Sequence, residues 1–87
     1  MGALAGRHAL ITGAAGSIGR ATARLFCEQG AFVTLTDCAV DALAAAHAAL
    51  PPERSCAVPL DVTQPAGWQR ALAAATAAFG PLDILFS

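Results

Sequence analysis

The chain alternates short apolar runs with longer stretches in which apolar residues return every three or four positions. His8–Thr12 (His-Ala-Leu-Ile-Thr) is short, apolar and ended by Gly13, which predicts a buried strand. Ile18, Ala21, Leu25 and Phe26 then mark one face of a helix, with Arg20, Arg24 and Glu28 opposite. Gly30 stands where a helix commonly ends in a left-handed residue. Phe32–Thr36 predicts a second strand, and Val40, Leu43, His47 and Leu50 a second helix, closed by Pro51-Pro52. Ser55–Leu60 predicts a third strand that Pro59 weakens. Thr63 is placed to cap a third helix, with Pro65 in its first turn, where a missing N–H costs nothing. Trp68, Leu72, Ala75 and Phe79 form the apolar stripe of that helix, and Gly80-Pro81 closes it. Leu82–Ser87 begins a fourth strand.

The order β-α-β-α-β-α-β implies an α/β fold with a parallel sheet and right-handed crossovers. With the fourth strand on the far side of the first, the spatial order is 3-2-1-4, a Rossmann-type sheet with two helices on one face and the third on the other. Such a sheet has a topological switch between strands 1 and 4, and ligands bind at the carboxyl ends of its strands.

Composition narrows the class. Apolar residues make up 56% of the 87 and charged residues 13%, which excludes intrinsic disorder. A net charge of −1 without a basic cluster leaves no electrostatic footprint for nucleic acid or an anionic membrane. All five basic residues are Arg, and the sequence has neither Lys nor Tyr. Cys27, Cys38 and Cys56 are odd in number and lack C-x-x-C spacing, so free thiols are expected rather than a disulfide framework or a metal site. Met1–Gly6 carries no charged region followed by an apolar one, and no apolar run approaches the roughly 18 residues of a spanning helix. A cytoplasmic location is the expectation.

Three features fall at the carboxyl ends of the strands. The first is the turn Thr12-Gly13-Ala14-Ala15-Gly16-Ser17-Ile18-Gly19, where Gly13, Gly16, Ser17, Ile18 and Gly19 are candidates to receive a pyrophosphate. Glycines there allow a tight turn and close backbone approach, and the N–H groups of a helix N-terminus favour an anion. The second is Asp37, 18 residues beyond Gly19, whose carboxylate is placed to accept both hydroxyls of an adenosine ribose. It would repel a 2′-phosphate, and Cys38 brings no cation to attract one, so NAD is preferred over NADP. The competing reading is a solvated turn residue that caps the second helix. The third is Asp61-Val62, a carboxylate for the adenine amino group and a backbone N–H for a ring nitrogen. The competing reading is an Asp that only helps to start the third helix.

Taken together, Thr12-Gly13…Gly19, Asp37, Leu60-Asp61-Val62-Thr63 and Phe79-Gly80-Pro81-Leu82-Asp83-Ile84-Leu85 resemble the N-terminal part of a short-chain dehydrogenase/reductase. The resemblance covers essentially the whole chain. It implies that residues 1–87 are a partial dinucleotide-binding domain, cut off after strand 4, of an enzyme that exchanges hydride between an alcohol or carbonyl and NAD. The single-domain branch usually has glycine one place later, at 17; here Gly16 is followed by Ser17, a spacing closer to the longer, epimerase-like branch. The Leu-Asp-Val-Thr and Gly-Pro-Leu-Asp-Ile-Leu stretches fit the single-domain branch better. The family also carries an Asn-Ala-Gly turn after strand 4, then a catalytic Ser and a Tyr-x-x-x-Lys pair. None has a counterpart here, and a chain without Tyr or Lys is expected to be inactive by itself.

No catalytic constellation or metal site is expected elsewhere. His8 reads as a partly buried structural histidine at the end of strand 1 remote from the crevice, His47 as part of a helical stripe, and Asp83 as structural. The alternative is a stand-alone module that binds NAD or an adenosine nucleotide without chemistry, or a domain completed by a partner. Ile84, Leu85 and Phe86 would form an open apolar edge, through which self-association is possible.

Overall fold

The computed structural model describes residues 2–87; Met1, the start of the segment read for targeting signals, lies outside them. The elements are β1 (His8–Ile11), α1 (Ser17–Glu28), β2 (Phe32–Asp37), α2 (Val40–Ala48), β3 (Ser55–Pro59), α3 (Pro65–Phe79) and β4 (Ile84–Phe86). The strands form one sheet in the order β3-β2-β1-β4, and every neighbouring pair is parallel. This is the expected Rossmann-type arrangement. The strand limits differ from expectation by a residue or two. Thr12 and Leu60 leave the strands but keep one more bond each: the Thr12 N–H donates to the Phe86 carbonyl at 2.9 Å, and the Leu60 N–H to that of Asp37 at 3.1 Å.

Alternating side chains divide the core into two layers. Ile11, Val33 and Leu35 face Ala23 of α1 and Leu43 and Ala46 of α2. On the other face, Phe32 stacks on Phe79 of α3 with ring centroids 5.0 Å apart, and His8 meets Phe79 edge-on at 5.4 Å. Two helices therefore cover one face and the third covers the other. Gly30 ends α1 with φ +91°, as its position predicts.

The buried stripes of the helices are not the ones that the large apolar residues suggest. α1 turns Gly19 and Ala23 inward, with Phe26 and Cys27 half-buried, while Ile18 is 74% and Leu25 52% exposed. α3 buries Gly67, Ala71 and Ala75; Leu72 lies outside, and Trp68 and Phe79 are only half-buried. In α2, Leu43 and Ala46 are buried and Val40 is exposed. Helices packed close on a sheet put their smallest side chains at the contact, because a larger one would hold the backbones apart. A periodicity weighted towards Leu and Ile is therefore displaced around the helix.

His8 is not partly buried but sealed, at 1% exposure in a central strand. One ring nitrogen, Nδ1, lies 3.0 Å from the Gly80 carbonyl, which can only accept, so Nδ1 carries the hydrogen. In the uncharged ring Nε2 then accepts from the Thr34 hydroxyl at 2.7 Å, and Thr34 in turn accepts from the Cys56 thiol at 3.2 Å. Asp83 completes this end: its carboxylate accepts the His8 N–H at 2.9 Å, and its own N–H donates to the His8 carbonyl at 2.8 Å. These groups brace the amino ends of β1 and β4, away from the crevice. Among the described residues, no helix is long and apolar enough to cross a membrane.

Candidate functional site

Parallel register sets the site. Asp37, the last residue of β2, is paired with Pro59, the last of β3, so residues 60–62 leave the sheet beside it. Ile11 lies level with Leu35 on one side and Phe86 on the other, which brings the β1–α1 turn to the same end of the sheet. Thr12 and Ser87, just beyond β1 and β4, meet there through their hydroxyls at 2.9 Å.

The turn is built around three glycines with different tasks. Gly13 has φ +63°, in the left-handed region that side chains other than glycine's rarely adopt. Gly19 is needed for its size, because a Cβ there would lie 2.5 Å from the Gly13 carbonyl oxygen. Gly16 is the N-cap of α1, and a Cβ on it would meet only that same oxygen, at an ordinary 3.5 Å. Gly16 therefore brings no capping side chain, and the first turn of α1 contains no acidic residue. The leading N–H groups of α1, at Ser17, Ile18 and Gly19, have no partners within the helix and stand at the positive end of its dipole. Such a terminus suits an anion.

Asp37 ties this turn to the rest. One carboxylate oxygen accepts the Ala15 N–H at 3.0 Å and the other the Ala39 N–H at 2.9 Å. A carboxylate offers about four lone-pair positions; these two bonds take one on each oxygen, and the N–H and thiol of Cys38 also bear on the group. The Ala39 N–H foremost, with those of Ala15 and Cys38, holds the carboxyl below its ordinary value near 3.8, against an opposing effect of burial. Asp37 thus supports the approach to α2 and also stands at the edge of the crevice.

Between Asp37 and the β3–α3 loop opens a cavity of about 160 Å³, lined by Gly13, residues 36–38 and residues 60–62. Of the predicted residues, Gly13, Asp37, Asp61 and Val62 meet there. Gly16, Ser17, Ile18 and Gly19 do not line it; they form the adjoining helix mouth. Asp61 folds back on its own loop, one oxygen accepting from both the Thr63 hydroxyl and the Thr63 N–H, at 2.9 Å for the latter. The hydroxyl foremost, then the N–H, keeps the Asp61 carboxyl below 3.8. Its second oxygen is left for an outside donor. Thr63 is thus no N-cap: Gln64 holds that position without a side-chain bond. The Thr63 hydroxyl is used on Asp61 instead.

Sequence reasoning missed three lining residues and one brace. Thr36 and Leu60 read as strand residues, and Cys38 reads only as a position without a cation, although it directly follows Asp37. Trp68, read as core, donates its indole N–H to the Val62 carbonyl at 2.9 Å, and no sequence pattern signals that bond. The two ionised carboxylates give the cavity a demand for donors such as hydroxyl or amino groups, while the helix mouth beside it favours a negative group. One side of the crevice therefore favours hydrogen-bond donors and the other an anion.

A family profile described as short chain dehydrogenase matches residues 7–87. The chain is 42% identical over 82 residues to a sorbitol dehydrogenase of Cereibacter sphaeroides, which covers 94% of this chain and 32% of that protein. Among solved structures it resembles a glucose/ribitol dehydrogenase of the short-chain type from Brucella melitensis, with a TM-score of 0.91 and 36% identity, over 97% of this chain and 36% of that one. It is also similar to a 3-ketoacyl-(acyl-carrier-protein) reductase from the same organism, solved with NADH, with a TM-score of 0.91 and 32% identity, over 95% and 34% of the two chains. The chain spans about a third of the length of the relatives it matches.

The glycines are separable by experiment. Gly19→Ala is expected to destabilise the fold by about 1–3 kcal/mol or more, because the clash is with backbone. Gly16→Ala should stay within about 0.5 kcal/mol of the parent, as both φ (−76°) and space permit it; urea unfolding measures both. Acid sensitivity follows from the two carboxylates. Their folded values lie below 3.8, so the stability they contribute is complete above that pH and is lost as pH falls through the lowered values. Asp37→Asn is expected to flatten that acid limb in denaturation curves taken between about pH 5 and about pH 2.

Proposed function

This chain belongs to the short-chain dehydrogenase family, and on that footing we propose that residues 1–87 form a partial dinucleotide-binding domain with NAD as its ligand. The single observation that carries the reading is the Asp37 carboxylate, held open-handed between the Ala15 and Ala39 N–H groups at the edge of the cavity. In this reading the free lone pairs of Asp37 accept the two hydroxyls of the adenosine ribose. Asp61 takes the adenine amino group on its second oxygen, and the Val62 N–H meets a ring nitrogen. Gly13, Gly16, Ser17, Ile18 and Gly19 present backbone to the pyrophosphate at the α1 terminus. The positions where a Cβ on Gly13 or Gly16 would intrude are clear, which supports close approach of such a group.

NAD is favoured over NADP on electrostatic grounds: a 2′-phosphate would face the Asp37 charge, with no Arg or Lys at position 38 to offset it. When bound, the nicotinamide ring supplies the hydride exchange between an alcohol and a carbonyl. What this chain contributes is binding and orientation. Alcohol oxidation also needs an acid/base group tuned near working pH, and a chain without Tyr or Lys does not bring the pair that the family uses.

In calorimetric titration the 87-residue chain is expected to bind NAD more tightly than NADP. Asp37→Ala should weaken NAD at least about tenfold, since each charge-assisted bond is worth about 1.5–3 kcal/mol. Gly16→Ala should weaken it without loss of fold, and no alcohol should drive NAD reduction. Equal affinity for the two dinucleotides, or an Asp37→Ala chain that binds as before, would overturn the assignment.

A second reading is favoured by one observation. In the order β3-β2-β1-β4 the outer edge of β4 has no strand beside it among the described residues, and Leu85 is 62% exposed there. A non-catalytic adenosine-nucleotide module completed by another strand, including one from a second copy, would use that edge. Sedimentation velocity should then show concentration-dependent self-association that Leu85→Lys abolishes; a monomer at all concentrations would count against it.

A further inference from the structure

Behind the loop that lines this cleft, on α3, stands Trp68, which no motif announces. Its indole N–H donates to the Val62 carbonyl at 2.9 Å. That carbonyl and the Thr63 N–H belong to one peptide unit, and the Thr63 N–H is itself bound to the Asp61 carboxylate at 2.9 Å. The unit is thus held at both ends, by α3 on one side and by Asp61 on the other. Freezing it fixes the backbone on either side of Val62 and turns Asp61 so that its uncommitted oxygen is the second one. Two further contacts fix the loop's height. The Leu60 N–H donates to the Asp37 carbonyl at 3.1 Å. Gly67 sits so close beneath the loop that a Cβ there would come within 3.2 Å of a Leu60 methyl. Trp68, one residue after Gly67, is therefore registered to the loop by the contact of Gly67 with the Leu60 side chain, and its ring is half-buried rather than part of the core.

Resting on the reading of Asp61-Val62 as the base-binding end of the cleft, we propose that Trp68 is a positioning residue for adenine: by clamping the Val62–Thr63 peptide it presents the Asp61 carboxylate and the Val62 N–H in the one arrangement that matches the amino edge of that base. Without the indole N–H the loop keeps its apolar contacts but gains freedom about Val62. The consequence is specific. Affinity for the sugar and phosphate is retained, and discrimination between bases is lost.

The test compares adenosine monophosphate with inosine monophosphate, in which the amino group that Asp61 would read is replaced by a carbonyl and the adjoining ring nitrogen, an acceptor in adenine, carries a hydrogen. The parent chain is expected to prefer the adenosine nucleotide by about tenfold, the worth of one charge-assisted bond. Trp68→Phe keeps an aromatic body and removes the donor; it should reduce that preference to about twofold or less while leaving inosine monophosphate affinity unchanged. Equal weakening of both nucleotides, or no change in either, would overturn the proposal, since a merely structural tryptophan predicts one of those results. A parent chain with no preference between them would sink it together with the base reading. The ribose reading would still be judged separately, by the effect of Asp37→Ala on NAD. Should Trp68→Phe fail to fold, the parent chain still decides. Trp68 is the only tryptophan and there is no tyrosine, so its emission should shift with adenosine monophosphate and not with ribose 5-phosphate. An emission unmoved by bound adenosine monophosphate would refute the clamp.

Discussion

The Asp37 carboxylate is the constraint on which this end of the molecule depends. It closes β2, accepts from the β1–α1 turn through Ala15, and accepts from the approach to α2 through Ala39. One side chain thus ties the β1–α1 turn, 22 residues away, to the end of β2 and the start of α2. The bonds favour the ionised form, so the group that organises the crevice also gives it a fixed negative charge. A neutral amide at that position would accept at one atom and present donors at the other, facing an N–H. The charge is therefore structural before it is anything else, and backbone N–H groups rather than a cation balance it.

Close packing is the second constraint, and it is met with small residues. Gly19 allows α1 to abut Gly13, Gly67 allows α3 to abut Leu60, and Ala23, Ala71 and Ala75 continue the two contacts. These approaches place the first turn of each helix against the loop that leads into it, so both the anion-favouring mouth of α1 and the Trp68 clamp inherit their position from them. The larger side chains displaced from the interfaces, among them Ile18, Leu25 and Leu72, lie exposed on the outside. That distribution accounts for a chain that is apolar in composition yet has a core of modest side chains.

The two ends of the sheet divide the work. At the amino ends, His8, Thr34, Gly80 and Asp83 form a closed hydrogen-bonded set with no acceptor or donor turned to solvent from the buried ring. At the carboxyl ends, Asp37 and Asp61 line a cavity, and the second Asp61 oxygen takes no bond within the protein. Polar groups that are fully satisfied within the protein stabilise; polar groups left partly free recognise. The proposed role of the crevice rests on that contrast.

Much of this was legible in the residues. The alternation of strand and helix, the parallel order 3-2-1-4, and the convergence of Gly13, Asp37 and Asp61-Val62 follow from periodicity, from the handedness of crossovers and from the spacing of glycine and carboxylate, all of which act locally or through topology. Three things were decided only in three dimensions. Which face of each helix is buried depends on how near the helix lies to the sheet, and this favoured alanine and glycine over the leucines that periodicity picks out. The state of His8 depends on partners 26 and 72 residues away in the chain. The bond from Trp68 to Val62 depends on the angle at which α3 leaves its loop. Patterns along a chain report preferences of single residues and their near neighbours; the distance between two backbones, and the direction in which a ring nitrogen points, are set by the packing of the whole.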